Sequence, residues 1–73
     1  MSMYLYVRPA IRGIIHSAGC SMVFDYDANR EYCVFGESKK EIDEQFICDL
    51  AENNEYGRIE QYILELIDKV KDA

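Results

Sequence analysis

Tryptophan is absent from this 73-residue chain, proline and histidine occur once each, and the four glycines are dispersed. Each shortage excludes something. With Gly13, Gly19, Gly36 and Gly57 far apart, neither a phosphate-cradling loop nor a dinucleotide fingerprint exists. A lone Pro9 leaves no proline-rich linker, and no stretch approaches the roughly 20 apolar residues that cross a bilayer. Cationic side chains are also short: 8 Lys and Arg against 14 Asp and Glu give a formal charge of −6. A phosphate backbone or an anionic bilayer is therefore a poor direct ligand, and a basic protein surface a better one.

Cysteine is scarce and odd in number. Cys20, Cys33 and Cys48 are widely spaced, which suits reduced, partly buried thiols better than a disulfide framework. Together with His16 they are the right elements for tetrahedral zinc, but no pair has the close spacing of a zinc motif, so no metal or other cofactor is expected. A Cys–His nucleophilic pair would need His16 beside one thiol and a third group to orient the ring, and no such set is marked out. The opening Met1-Ser2-Met3-Tyr4-Leu5-Tyr6 has no basic lead before a long apolar run, so the expected location is the cytoplasm.

What is present is apolar material, 49% of residues, in a chain long enough for one small domain spanning 1–73. Residues 3 to 8 alternate Met3, Leu5 and Val7 with Tyr4, Tyr6 and Arg8, the period of a strand, and Pro9 reads as its break. Ile11, Ile14 and Ile15 resume an extended pattern before a turn at Ser17-Ala18-Gly19. Residues 21–27 and 31–35 flank Asp27-Ala28-Asn29-Arg30 and predict a hairpin. Ser38-Lys39-Lys40-Glu41 matches a capping box and predicts a helix start, with Ile42, Phe46, Ile47, Leu50 and Ala51 as its apolar stripe and Asn53-Asn54 as its stop. A second helix carries Tyr56, Ile59, Ile63, Leu66, Ile67 and Val70. The expected fold is thus α+β: an N-terminal antiparallel β-meander of three or four strands, then two antiparallel helices packed on one face.

Charge is distributed unevenly. Residues 1–36 balance, whereas residues 37–73 hold five Lys and Arg against eleven Asp and Glu, so the whole excess lies in the C-terminal half. On the expected first helix, Glu41, Glu44, Glu52 and Glu55 recur at helical steps and form an acidic stripe. Tyr4 and Tyr6, on one face of the expected first strand, are the residue type enriched at interfaces. These six residues are the candidate partner-binding set. No catalytic constellation accompanies them, so the expected function is non-enzymatic binding of a basic protein surface. A homodimer, pairing through Tyr4, Tyr6 or the Tyr62-Leu64 edge, is the rival expectation.

Phe35 followed by Ser38, Glu41 and Phe46, and then Gly57-Arg58-Ile59-Glu60 opening a helix, resembles the small phage-encoded anti-CRISPR proteins that act on type I-F surveillance complexes. The likeness covers roughly the second half of the chain and assigns no functional residue. It implies an inhibitor in the host cytoplasm that occupies a basic, nucleic-acid-binding surface of a host defence complex without binding nucleic acid itself.

Overall fold

The computed structural model describes residues 2–73, and the chain begins with a helix, not a strand: α1 (Met3–Ser17), β1 (Ser21–Asp25), β2 (Arg30–Phe35), β3 (Ser38–Glu41), α2 (Glu44–Glu52) and α3 (Tyr56–Asp72). This overturns the expected N-terminal meander. The two-residue alternation of Met3 to Arg8 is real but local. Tyr4, Val7, Ile11 and Ile15 recur at steps of three and four, and all four are buried along one side of α1. Burying such side chains is worth about 1.5–3 kcal/mol each, which outweighs the strand propensity of six residues. Ser2 caps the helix, its hydroxyl accepting from the Tyr4 amide at 3.2 Å. Pro9 lies within the helix on its exposed side instead of ending a strand.

The hairpin expected between residues 21 and 35 is present. Asp25 pairs with Arg30, and the Asp25 carboxylate accepts from the Asp27 and Ala28 amides at 3.0 and 3.2 Å, bracing the turn. The capping box is where the reading of the second half fails. Ser38 to Glu41 form β3, paired antiparallel to β2, and the connection is a two-residue loop with Gly36 at φ +61°. Glycine enters that left-handed conformation without steric cost, so Gly36 turns the chain back as a strand instead of releasing it to a helix. The helix begins later, with Asp43 as its cap accepting from the Phe46 amide at 3.1 Å. Asn53 and Asn54 do end it, Asn54 at φ +58°.

The sheet order is β1-β2-β3, three strands in all among the described residues. Its inner face carries Met22, Glu31 and Cys33. Above it sit α1, which packs on β1, and α3, which packs on β2 and β3. α2 packs against both of those helices. The core lies between these layers, built from the α1 stripe, Ile47, Leu50 and Ala51 of α2, and Ile59, Ile63, Leu66, Ile67 and Val70 of α3. Among the described residues no helix is long and apolar enough to cross a membrane.

A proline inside a helix removes one backbone hydrogen bond and crowds the preceding turn, at about 3 kcal/mol. Pro9→Ala is therefore expected to raise unfolding stability by about 1–3 kcal/mol in a denaturant titration. A strand break at Pro9 would leave it unchanged or lower.

Candidate functional site

The six candidate residues do not gather on one surface. Tyr4 is turned into the core, 2% exposed, while Tyr6 stands on the far side of α1 at 70%. Glu41 belongs to β3 and pairs with Arg30 at 2.9 Å on the solvent face of the sheet. Only Glu44 and Glu52 lie on α2, and Glu55 is the residue that opens α3, paired with Arg58 at 3.1 Å. The continuous acidic stripe is thus replaced by three shorter groups on different elements. The insertion of β3, which takes Glu41 off the helix, is the physical reason.

Tyr4 instead joins the most connected side-chain polar group among the described residues. Glu31, inward-facing on β2 and 2% exposed, accepts from the Tyr4 hydroxyl at 2.6 Å and from Arg8 Nε at 2.7 Å through one oxygen. Its other oxygen accepts from Arg8 Nη2 at 2.9 Å. Tyr4 and Arg8 are four residues apart, so one turn of α1 presents both to the same carboxylate. Burial by itself pushes the Glu31 carboxyl up, but the hydrogen bonds from Arg8 and Tyr4 and the charges of Arg8 and Arg12 outweigh it and hold the group below the ordinary carboxylate range. Burial and the adjoining carboxylate drive the Tyr4 phenol upward. Glu44, half-buried at the start of α2, is pushed up by burial and by the Glu31 charge.

Chemically this group is closed. The Glu31 acceptors are taken by donors from α1, and among the described residues no buried side-chain polar atom lacks a partner. It is a clamp between α1 and β2, not a general base waiting for substrate. The residue pattern does not single out Glu31. Its signal is a charge at an inward position of a strand, two residues before Cys33, which demands a partner from whatever covers that face.

His16 and the three thiols do not form one group, although Cys20 and Cys33 are neighbours in the core. Cys20 and Cys33 are buried, Cys48 is half-buried on α2 with its sulfur 3.5 Å from the Ser2 hydroxyl, and His16 is exposed on α1. Burial and the neighbouring Cys20 push the Cys33 thiol up to about 11, which disfavours the nucleophilic thiolate. Among the described residues no three His, Cys, Asp or Glu side chains are grouped to hold a metal ion.

The exposed feature that the residue pattern conceals is Phe46. It falls on the apolar stripe of α2 but stands 43% exposed, its ring meeting the edge of Tyr62 at a centroid distance of 5.1 Å. A shallow hollow of about 230 Å³ beside this pair is lined by Gln61, Glu65 and Arg58 of α3. Around it α2 and its cap carry Asp43, Glu44, Asp49 and Glu52 without a lysine or arginine.

Breaking a buried pair strands its partner, so Glu31→Gln is expected to cost about 3 kcal/mol at neutral pH, and Tyr4→Phe about 1–2 kcal/mol. Because the folded-state value of Glu31 is depressed, its contribution is complete above the ordinary carboxylate range near 4.3 and is lost as pH falls through the lower folded value. Denaturant titrations from neutral to acid pH should therefore show the gap between wild type and Glu31→Gln narrowing below about pH 4. A gap independent of pH would contradict the clamp. Comparison with protein-family models, curated proteins and solved structures finds no match to this chain.

Proposed function

We propose that the chain is a small non-catalytic binding module that docks through α2 on a basic surface of another protein. The supporting observation is the composition of the α2 surface. From Asp43 to Glu55 five carboxylates, Asp43, Glu44, Asp49, Glu52 and Glu55, occur with no lysine or arginine, and Phe46 stands exposed one turn before Asp49. An exposed ring on a helix whose own charges are all negative, with Arg58 only on its α3 flank, pairs an apolar anchor with long-range steering, the combination that raises association rates toward a complementary surface. For solubility alone, interspersed lysines would serve better, as they do on α3 where Glu65 precedes Lys69 by one turn.

The proposed contact set is accordingly Phe46 with Asp49 and Glu52 of α2. Tyr4 leaves the set because it is buried, Tyr6 because it stands on α1, Glu41 and Glu55 because Arg30 and Arg58 pair with them, and Glu44 because it adjoins the clamp. The resemblance to type I-F anti-CRISPR proteins names a nucleic-acid-handling defence complex as the first partner to test. The elements that carry that resemblance are rearranged, since Ser38 and Glu41 lie in β3 and not on a helix.

The test is binding of the purified chain to that complex, measured by calorimetry across ionic strength. Affinity is expected to fall about tenfold or more between roughly 50 and 300 mM salt. Asp49→Lys with Glu52→Lys, both exposed and remote from the clamp, should weaken it similarly, and Phe46→Ala should weaken it without changing the salt dependence. Binding that ignores both salt and the charge reversals would overturn the electrostatic reading.

A further inference from the structure

α1 and α3 lie side by side and run in the same direction. Met3 and Tyr6 share a hollow with Tyr56, Ala10 and Ile14 share the next with Ile59 and Glu60, and Ser17 and Ala18 share a third with Leu64. Neighbouring hollows have walls in common, Tyr56 between the first two and Ala10 and Ile14 between the second two. They therefore join into one shallow groove about 20 Å long on the outside of the molecule. Among the described residues Glu60 is the only charged side chain that lines it.

The seam carries a projecting ring and, two turns on, an open stretch with small side chains. At its start Tyr6 projects, and toward its end lies a broad, shallow and open stretch bordered by Ala10, Gly13 and Ile14. No atom stands within 4 Å of where a Gly13 side chain would begin. The projecting ring and the open stretch at Gly13 are about two helical turns apart, roughly 10 Å, with Ala10 midway. A two-fold axis passing over Ala10 sets two copies of α1 antiparallel and brings Tyr6 of each onto Gly13 and Ile14 of the other. Alanine at the crossing lets the two backbones approach, and the contact is isologous, with each residue meeting its counterpart's partner.

Charge and area agree with this occupant. Two copies each carrying −6 repel, and α1 is the helix without an Asp or Glu, its charges being Arg8 and Arg12 on the side away from the groove. The approach of a second copy is therefore least opposed here. Tyr6, Tyr56, Leu64 and the small residues between them offer roughly 500 Å² per copy, about 1,000 Å² for the pair, at the lower limit of a specific interface. We propose that the α1–α3 groove is the contact surface of a reversible homodimer in which Tyr6 of each copy lies over the open stretch beside Gly13 of the other. The acidic α2 surface takes no part, so the dimer stands or falls independently of the function proposed above.

Sedimentation equilibrium of the full chain tests it. The average mass is expected to rise from 8.5 kDa toward twice that value as concentration increases from about 5 to 500 µM. Gly13→Arg places a good helix former in open space, so the thermal midpoint of the dilute monomer should hold or rise. Its dissociation constant should nevertheless increase at least about tenfold, as should that of Tyr6→Glu. Ala10→Cys, lying on the axis, should cross-link to itself under diamide, which takes up the two thiol hydrogens, faster than the wild-type chain does. A single 8.5 kDa species across the whole range, or a dimer untouched by Gly13→Arg and Tyr6→Glu, would overturn the proposal.

Discussion

One buried carboxylate organises this small domain. Glu31 arrives on the inner face of β2 with a charge that cannot be left unpaired out of water, and Tyr4 and Arg8 meet it from consecutive turns of α1. The three hydrogen bonds fix the rotation of α1 about its own axis as well as its height above the sheet. With that rotation set, Val7, Ile11 and Ile15 point into the core and the uncharged side of the helix, with Tyr6, Ala10 and Gly13, points out. A hydrophobic stripe alone would tolerate some rolling of the helix, because dispersion and burial are not directional. A bidentate arginine and a phenol on one carboxylate are directional.

The same placement separates the surface into two parts of different character. α1 contributes cations and apolar side chains, while α2 and its flanks contribute carboxylates around Phe46. Glu44 sits at the junction, its carboxyl raised by burial and by Glu31, so negative charge on α2 is felt at the clamp. An acidic outer surface and an ionic core thus compete mildly. The Arg8 and Arg12 charges offset that competition at Glu31, where both act to keep the carboxylate ionised. In so short a chain, with limited apolar area to bury, the geometry of a single ion pair matters more than it would in a larger domain.

The hairpin and the last helix are legible from the residue pattern, whereas the first helix and the third strand are not. The α3 stripe of Ile59, Ile63, Leu66, Ile67 and Val70 is long and periodic, and the 21–35 hairpin has turn residues of clear meaning. Residues 3–8 satisfy a period of two and a period near four at once, and Pro9 tips the local pattern toward a strand. Only the continuation to Ile11 and Ile15, buried together with Tyr4 and Val7, decides for the helix. Ser38 to Glu41 fit a capping box in isolation, yet pairing with β2 across Gly36 is a tertiary fact that no local motif carries. The candidate residues inherit both errors: a strand alternates Tyr4 with Leu5 and so turns it outward, and the capping box counts Glu41 on a helix it does not join. Phe46 is hidden by its correct spacing, since helical period does not reveal how far the neighbouring α3 extends over it.

The central claim, that Tyr4, Arg8 and Glu31 act as one directional clamp, is tested most directly by a double-mutant cycle on Arg8→Met and Glu31→Leu in equilibrium unfolding. The clamp requires strong coupling, with the double variant losing at least about 2 kcal/mol less than the two single changes summed. Losses that add within about 0.5 kcal/mol would mean that the two side chains act independently, and would contradict it.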